Sequence, residues 1–90
     1  SPQVTLARIR AGHSHFLAGR YQDALGYFRK LAKENVPPQY RQWVLYWAAR
    51  SLDLSGDPDA ALRGYEELIR SFPDGSATFD AAARAAAKTR

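Results

Sequence analysis

Cysteine is missing from this 90-residue chain, which excludes disulfides, thiol catalysis and zinc sites with cysteine ligands while leaving the compartment open. Long apolar runs are missing too. No stretch approaches the roughly 18 residues that span a bilayer, and the opening SPQVTLARIR lacks the ordered basic, apolar and small-residue zones of a signal peptide, so no membrane insertion is expected. Nor is there a phosphate loop, a nucleotide fingerprint, a Ser/His/Asp order or any strand alternation. His13 and His15 stand two apart, about 200° around a helix, and cannot share a metal. The acids Asp57, Asp59, Glu66 and Glu67 read as helix caps and solvated faces and not as a catalytic pair. The expectation is a chain without catalysis, cofactor or metal.

Charge is present but unevenly placed. The net charge is +4, with eight Lys/Arg against two acids in residues 1–50 and five against seven in residues 51–90. That polarity suits a partner reading one end, or contact between copies, better than a continuous basic track for nucleic acid, and no nucleic-acid partner is expected. Arg29, Lys30 and Lys33 read as a solvated helix face; if they bound phosphate, affinity would fall steeply with salt.

What the chain does contain is a repeat. GRYQDALGYF at 19–28 and GDPDAALRGY at 56–65 carry the same residue types in the same order. One shift of 37 pairs Gly19 with Gly56, Ala24 with Ala61, Leu25 with Leu62, Phe28 with Tyr65 and Leu31 with Leu68. Self-similarity at this period is the mark of a solenoid, whose units are each too small to bury their own apolar face and stack to share one.

Five helices follow from the periodicity. Leu6, Ile9, Phe16 and Leu17 space a first helix from Val4 to Leu17, which Gly19 ends in a left-handed conformation. Ala24, Leu25, Phe28, Leu31 and Ala32 make the stripe of a second, from about Tyr21 to Glu34, before Pro37 and Pro38. A third runs from about Pro38 to Leu54 with Trp43, Val44, Tyr46, Trp47 and Leu52, closed by Gly56. Asp57 caps a fourth, Pro58 to Phe72, in which Pro58 takes the first position and Asp59 the favourable end of the dipole. After PDGS, Ser76 or Thr78 is positioned to cap an alanine-rich fifth. Short connections make neighbouring helices antiparallel. Read together, residues 1–90 form one domain: repeat one at about 4–37, repeat two at about 38–74, and a capping or partial third repeat at 76–90. Because solenoids normally end in a polar cap and this chain ends in FDAAARAAAKTR, it is expected to be a piece of a longer array.

These residues resemble the tetratricopeptide repeat family, whose unit is a helix pair of about 34 residues. The resemblance lies in Ala48, Ala49, Gly56, Ala61, Tyr65, Leu68 and Pro73, in their counterparts Ala11, Gly12, Gly19, Tyr21, Ala24, Phe28 and Leu31, and in Ala85 and Ala86 as the small pair of a third helix A. It departs in its spacing of 37, from the extra residues of AKENVPPQ, and in Pro58 at the usual turn aromatic. It implies an all-α, antiparallel helix-pair solenoid with a right-handed superhelical stack. YWAARSLDLSGDPDAALRGYEELIRSFPDGSATFDAA is also similar to repeats in bacterial envelope proteins: the periplasmic coordinator of the Tol–Pal system, outer-membrane assembly lipoproteins and the superhelical domain of soluble lytic transglycosylases. This second similarity implies a bacterial, periplasmic or envelope setting.

For function, the resemblance implies a scaffold that binds a peptide or helix of a protein partner on its concave face, lined by the first helix of each pair. Carried onto this chain, that face takes Leu6, Ile9, His13, Phe16 and Leu17, then Trp43, Tyr46, Arg50 and Asp53, then Asp80, Ala83 and Ala87. An aromatic pair with an arginine beyond it suits an interface, where Trp, Tyr and Arg dominate binding, although tryptophans in so small a domain also belong in cores; Trp47 is expected there. The chaperone-binding branch of the family clamps a carboxylate with Lys, Asn and Arg, but the corresponding places hold Ile9, His13 and Trp47, so a peptide with apolar anchors fits better. Two alternatives follow from the same residues: the non-catalytic superhelical part of a peptidoglycan-acting envelope enzyme, and self-association through the end helices, with Ala81, Ala82, Ala85 and Ala86 as a packing face.

Overall fold

The computed structural model describes residues 2–89 and consists of five helices: α1 (Pro2–Leu17), α2 (Tyr21–Ala32), α3 (Pro38–Leu54), α4 (Pro58–Ser71) and α5 (Ser76–Lys88). No strand occurs among the described residues. The fold is the expected all-α helix-pair solenoid. Each helix packs on the next, and α3 touches all four others. The odd helices also meet one another, α1 on α3 and α3 on α5, whereas α2 and α4 do not touch. The odd helices therefore form the more closely spaced, inner layer.

The two turns between paired helices match bond for bond. Gly19 (φ +80°) and Gly56 (φ +98°) are the residues with positive φ among those described, a region that costs a side chain dearly. At the first, the Gly19 N–H bonds Phe16 O at 3.0 Å and the Arg20 N–H bonds His15 O at 2.9 Å; at the second, Gly56 bonds Asp53 O at 3.3 Å and Asp57 bonds Leu52 O at 3.0 Å. These are the reversing bonds that satisfy carbonyls orphaned at a helix end. Asp57 then caps α4, its Oδ1 accepting from the Ala60 N–H at 3.2 Å, with Pro58 in the first helical position.

Four helix ends differ from expectation, one of them simply in that α4 stops at Ser71 and leaves Phe72 as its C-cap. α1 starts at Pro2 and not at Val4, since proline suits a first turn. α2 stops at Ala32 and not at Glu34, tightening through Lys33 N–H to Lys30 O (3.2 Å) and Glu34 N–H to Leu31 O (3.0 Å), so that Val36 turns inward to 8% exposure. α5 is capped by neither Ser76 nor Thr78. Ser76 is its first residue and Thr78 bonds back to Phe72 O, while the Gln42 side chain of α3 reaches across to accept from the Ala77 N–H at 3.1 Å.

The core repeats as the sequence does. Ala24, Phe28 and Leu31, and their counterparts Ala61, Tyr65 and Leu68, are all fully buried. The first set packs with Phe16 and Val44, the second with Tyr46, Ala49, Ala77, Ala81 and Ala85, and Trp47 packs against both. Buried Ser51 donates to Trp47 O at 2.7 Å, so that no donor is stranded there.

Candidate functional site

The inner layer carries one connected run of rings. Phe16, at the end of α1, meets Tyr21 at 5.3 Å between centroids and Trp47 of α3 at 5.0 Å. Trp47 meets Tyr46 at 5.1 Å, and Tyr46 meets Trp43 at 5.8 Å and Tyr65 of α4 at 6.3 Å. Most of these contacts are edge to face, the arrangement that the ring quadrupole favours. His13 lies 4.4 Å from Trp47, and the Arg50 guanidinium sits 5.3 Å from the Phe16 ring and 5.9 Å from Trp47. A planar cation over two rings keeps its charge at the surface while its flat side is held in place.

A polar cluster continues this surface toward α5. Asp53 takes Lys88 Nζ at 2.6 Å on one oxygen and the Tyr65 hydroxyl at 3.4 Å on the other. Arg84 Nε donates to the Tyr46 hydroxyl at 3.1 Å. Burial, and then the charge of Asp53, push the Tyr65 phenol well above its ordinary range, so it stays a neutral donor. Arg50 makes no ion pair with any described carboxylate, since the two pairs present join Arg8 to Glu34 and Lys88 to Asp53.

The expected site residues fall into three groups. Ile9, His13, Trp43, Arg50 and Asp53 are half-buried, open enough to touch a partner and fixed by neighbours. Phe16 (8% exposed) and Tyr46 (2%) lie beneath them and act as the bed on which Trp47, Trp43 and Arg50 rest. Of the remaining concave positions Leu6 is half-buried, Leu17 is 72% exposed, and Asp80, Ala83 and Ala87 are exposed on α5. Trp47 departs from its expected place. It is half-buried at the seam between the two cores, with His13 and Phe16 of α1 against its ring. Sequence reasoning missed Arg84 and Lys88. The 37-residue shift carries Trp47 onto Arg84, which was the available signal.

This architecture, paired antiparallel helices stacked with a small-residue notch at each pairing, defines a helical-repeat protein. Residues 43–75 match the tetratricopeptide repeat family. That stretch is similar to a tetratricopeptide repeat, and the first helix pair carries Gly19, Ala24, Leu25 and Leu31 where the second carries Gly56, Ala61, Leu62 and Leu68, 37 positions later. No curated protein and no solved structure matches the chain. A tetratricopeptide repeat is a protein–protein interaction module, and the implied partners are proteins. Among the described residues no helix is long and apolar enough to cross a membrane.

Proposed function

We propose that the inner face of the odd helices binds a peptide or helix of a partner protein within a larger bacterial assembly, and that the chain does no catalysis of its own. The observation that carries this is Arg50, a cation held over Phe16 and Trp47 with no carboxylate of its own, beside the half-buried rings of Trp43, Trp47 and His13. Such a surface offers aromatic anchors and one unspent charge in a preorganised setting, which is how interface hot spots are built. Ile9, His13, Trp43, Arg50 and Asp53 form the contact, and Phe16 and Tyr46 hold it from below. The partner segment brings apolar side chains for the rings and a carboxylate for Arg50.

The test is capture from a bacterial envelope extract by the wild type and by Trp43→Ala/Arg50→Ala, whose side chains are not part of the buried core, with folding checked by circular dichroism. A partner retained by the wild type and lost by the variant supports the inner face. Equal retention by both refutes it. Retention of nucleic acid that falls steeply with added salt would place the function on the basic face of α2 instead.

A further inference from the structure

Leu17 and Leu54 occupy the same place in successive repeats, 37 residues apart, and both stay exposed at the ends of their helices, 72% and 46%. The turn after each is the same. Gly19 and Gly56 take positive φ, and the residues that follow, Arg20 and Asp57, are the N-caps of α2 and α4 and carry opposite charge. Arg20 Nε donates to His15 Nδ1 at 3.1 Å and Asp57 Oδ1 accepts from the Ala60 N–H at 3.2 Å, which fixes both side chains, and neither makes an ion pair among the described residues. α1 and α3 both run antiparallel to α2 and touch each other, so the two turns lie on one edge of the array. Repeats stack along an array and this edge runs beside it, so further repeats at either end would leave it open.

We propose that this edge pairs with the same edge of a second copy of the chain across a two-fold axis, Leu17 of each copy packing on Leu54 of the other and Arg20 of each meeting Asp57 of the other. The edge itself specifies the occupant. A half-turn reverses it, so each turn faces the other turn of the second copy. Because the turns are repeats, leucine meets leucine at matching spacing; because their caps differ in sign, each charge meets its opposite. Parallel pairing would set like charge on like. The rest of the chain agrees, since reversal lays residues 1–50, with eight Lys/Arg against two acids, on residues 51–90, with five against seven. Asp23 and Asp59 add one acid to each turn, which makes Arg20 the cation on which the contact depends. Two leucines and two turns per copy make a contact smaller than the about 800 Å² per partner of a standard interface, so the pairing is transient, with a Kd of about 0.1–1 mM. It uses neither the inner face nor the end helices.

The chain has no cysteine, so single cysteines report the pairing cleanly. A disulfide needs Cα atoms within about 7 Å, which the two-fold contact grants to positions 17 and 54 of different copies and to neither position with itself. Under mild oxidation a mixture of Leu17→Cys and Leu54→Cys chains should give a covalent dimer, and each alone should stay monomeric; both positions are exposed, so folding is not at risk. In sedimentation equilibrium the unmodified chain should move from monomer toward dimer as its concentration rises to about 2 mM. Leu17→Gln should weaken that association about tenfold or more, and Arg20→Glu, which sets acid against acid, should abolish it. Asp57→Asn, which keeps the cap of α4 and removes the charge, should weaken it as well. A chain still monomeric at about 2 mM would overturn the proposal. So would disulfides formed as readily by either variant alone as by the mixture, and so would a dimer lost on Ala86→Glu in the exposed face of α5 but kept on Leu17→Gln, which would mean the end helices pair instead.

Discussion

Phe28 closes on Gly12 so tightly that a Cβ on that glycine would stand 2.8 Å from the tip of the ring. The ring is fully buried and has nowhere to retreat. Overpacking of this kind costs about 1–3 kcal/mol, against a gain of up to about 1 kcal/mol from replacing a helical glycine. Gly12→Ala should therefore destabilise by about 1 kcal/mol in urea unfolding. Gly26→Ala, on exposed α2 where an added Cβ meets nothing within 4 Å, should stabilise by about 0.5–1 kcal/mol. The same substitution with opposite signs separates packing from propensity.

That contact also shows how far the sequence could be read. Gly19, Gly56, Asp57 and Pro58 announce their roles because a positive φ, an N-cap and a first helical turn each demand particular residues nearby in the chain. The bounds of α3 were legible for the same reason. Which ring of α3 faces inward was not: α3 touches every other helix, so its apolar residues spread around it and periodicity does not separate Trp43, Tyr46 and Trp47. The Gln42 cap and the Lys88 contact to Asp53 each span 35 residues, beyond any local signal.

Gln42 does for α5 what Asp57 does for α4, from another helix. Loss of an N-cap costs about 0.5–2 kcal/mol. Gln42→Ala should lower stability within that range and speed hydrogen exchange at the Ala77 amide, leaving the amides at the start of α4 unchanged. Equal acceleration at both helices would mean the bond is not a cap.

Asp53 joins α3, α4 and α5 through Tyr65 and Lys88. Asp53→Ala leaves a fully buried tyrosine without its acceptor and a largely buried lysine unpaired, and should cost about 1–3 kcal/mol. Tyr65→Phe, which keeps the ring and removes only the donor, should cost about 1 kcal/mol or less. Thermal unfolding of both variants checks the order.

Two N–H groups of Arg8 hold Glu34, one of them 2.7 Å from Oε1, and these bonds keep the carboxyl below its ordinary value while raising the guanidinium. The folded chain binds that proton less readily than the unfolded one. The pair's contribution is therefore complete above the ordinary carboxyl value of 4.5 and is lost as pH falls below it toward the depressed folded value. Both ends are about a third exposed, so the effect is small. The difference in melting temperature between wild type and Glu34→Gln should be present at pH 7 and shrink by pH 3; an unchanged difference would contradict the pairing.

The central claim is that the inner face receives the partner. A photoreactive benzoylphenylalanine placed at position 43, among the rings of α3, or at position 63, on the outer side of α4, tests it by irradiation in the presence of envelope extract. The account predicts one discrete partner adduct from position 43 and none from position 63. Adducts from position 63 alone, or equally from both, would contradict it and move the binding surface to the outer helices.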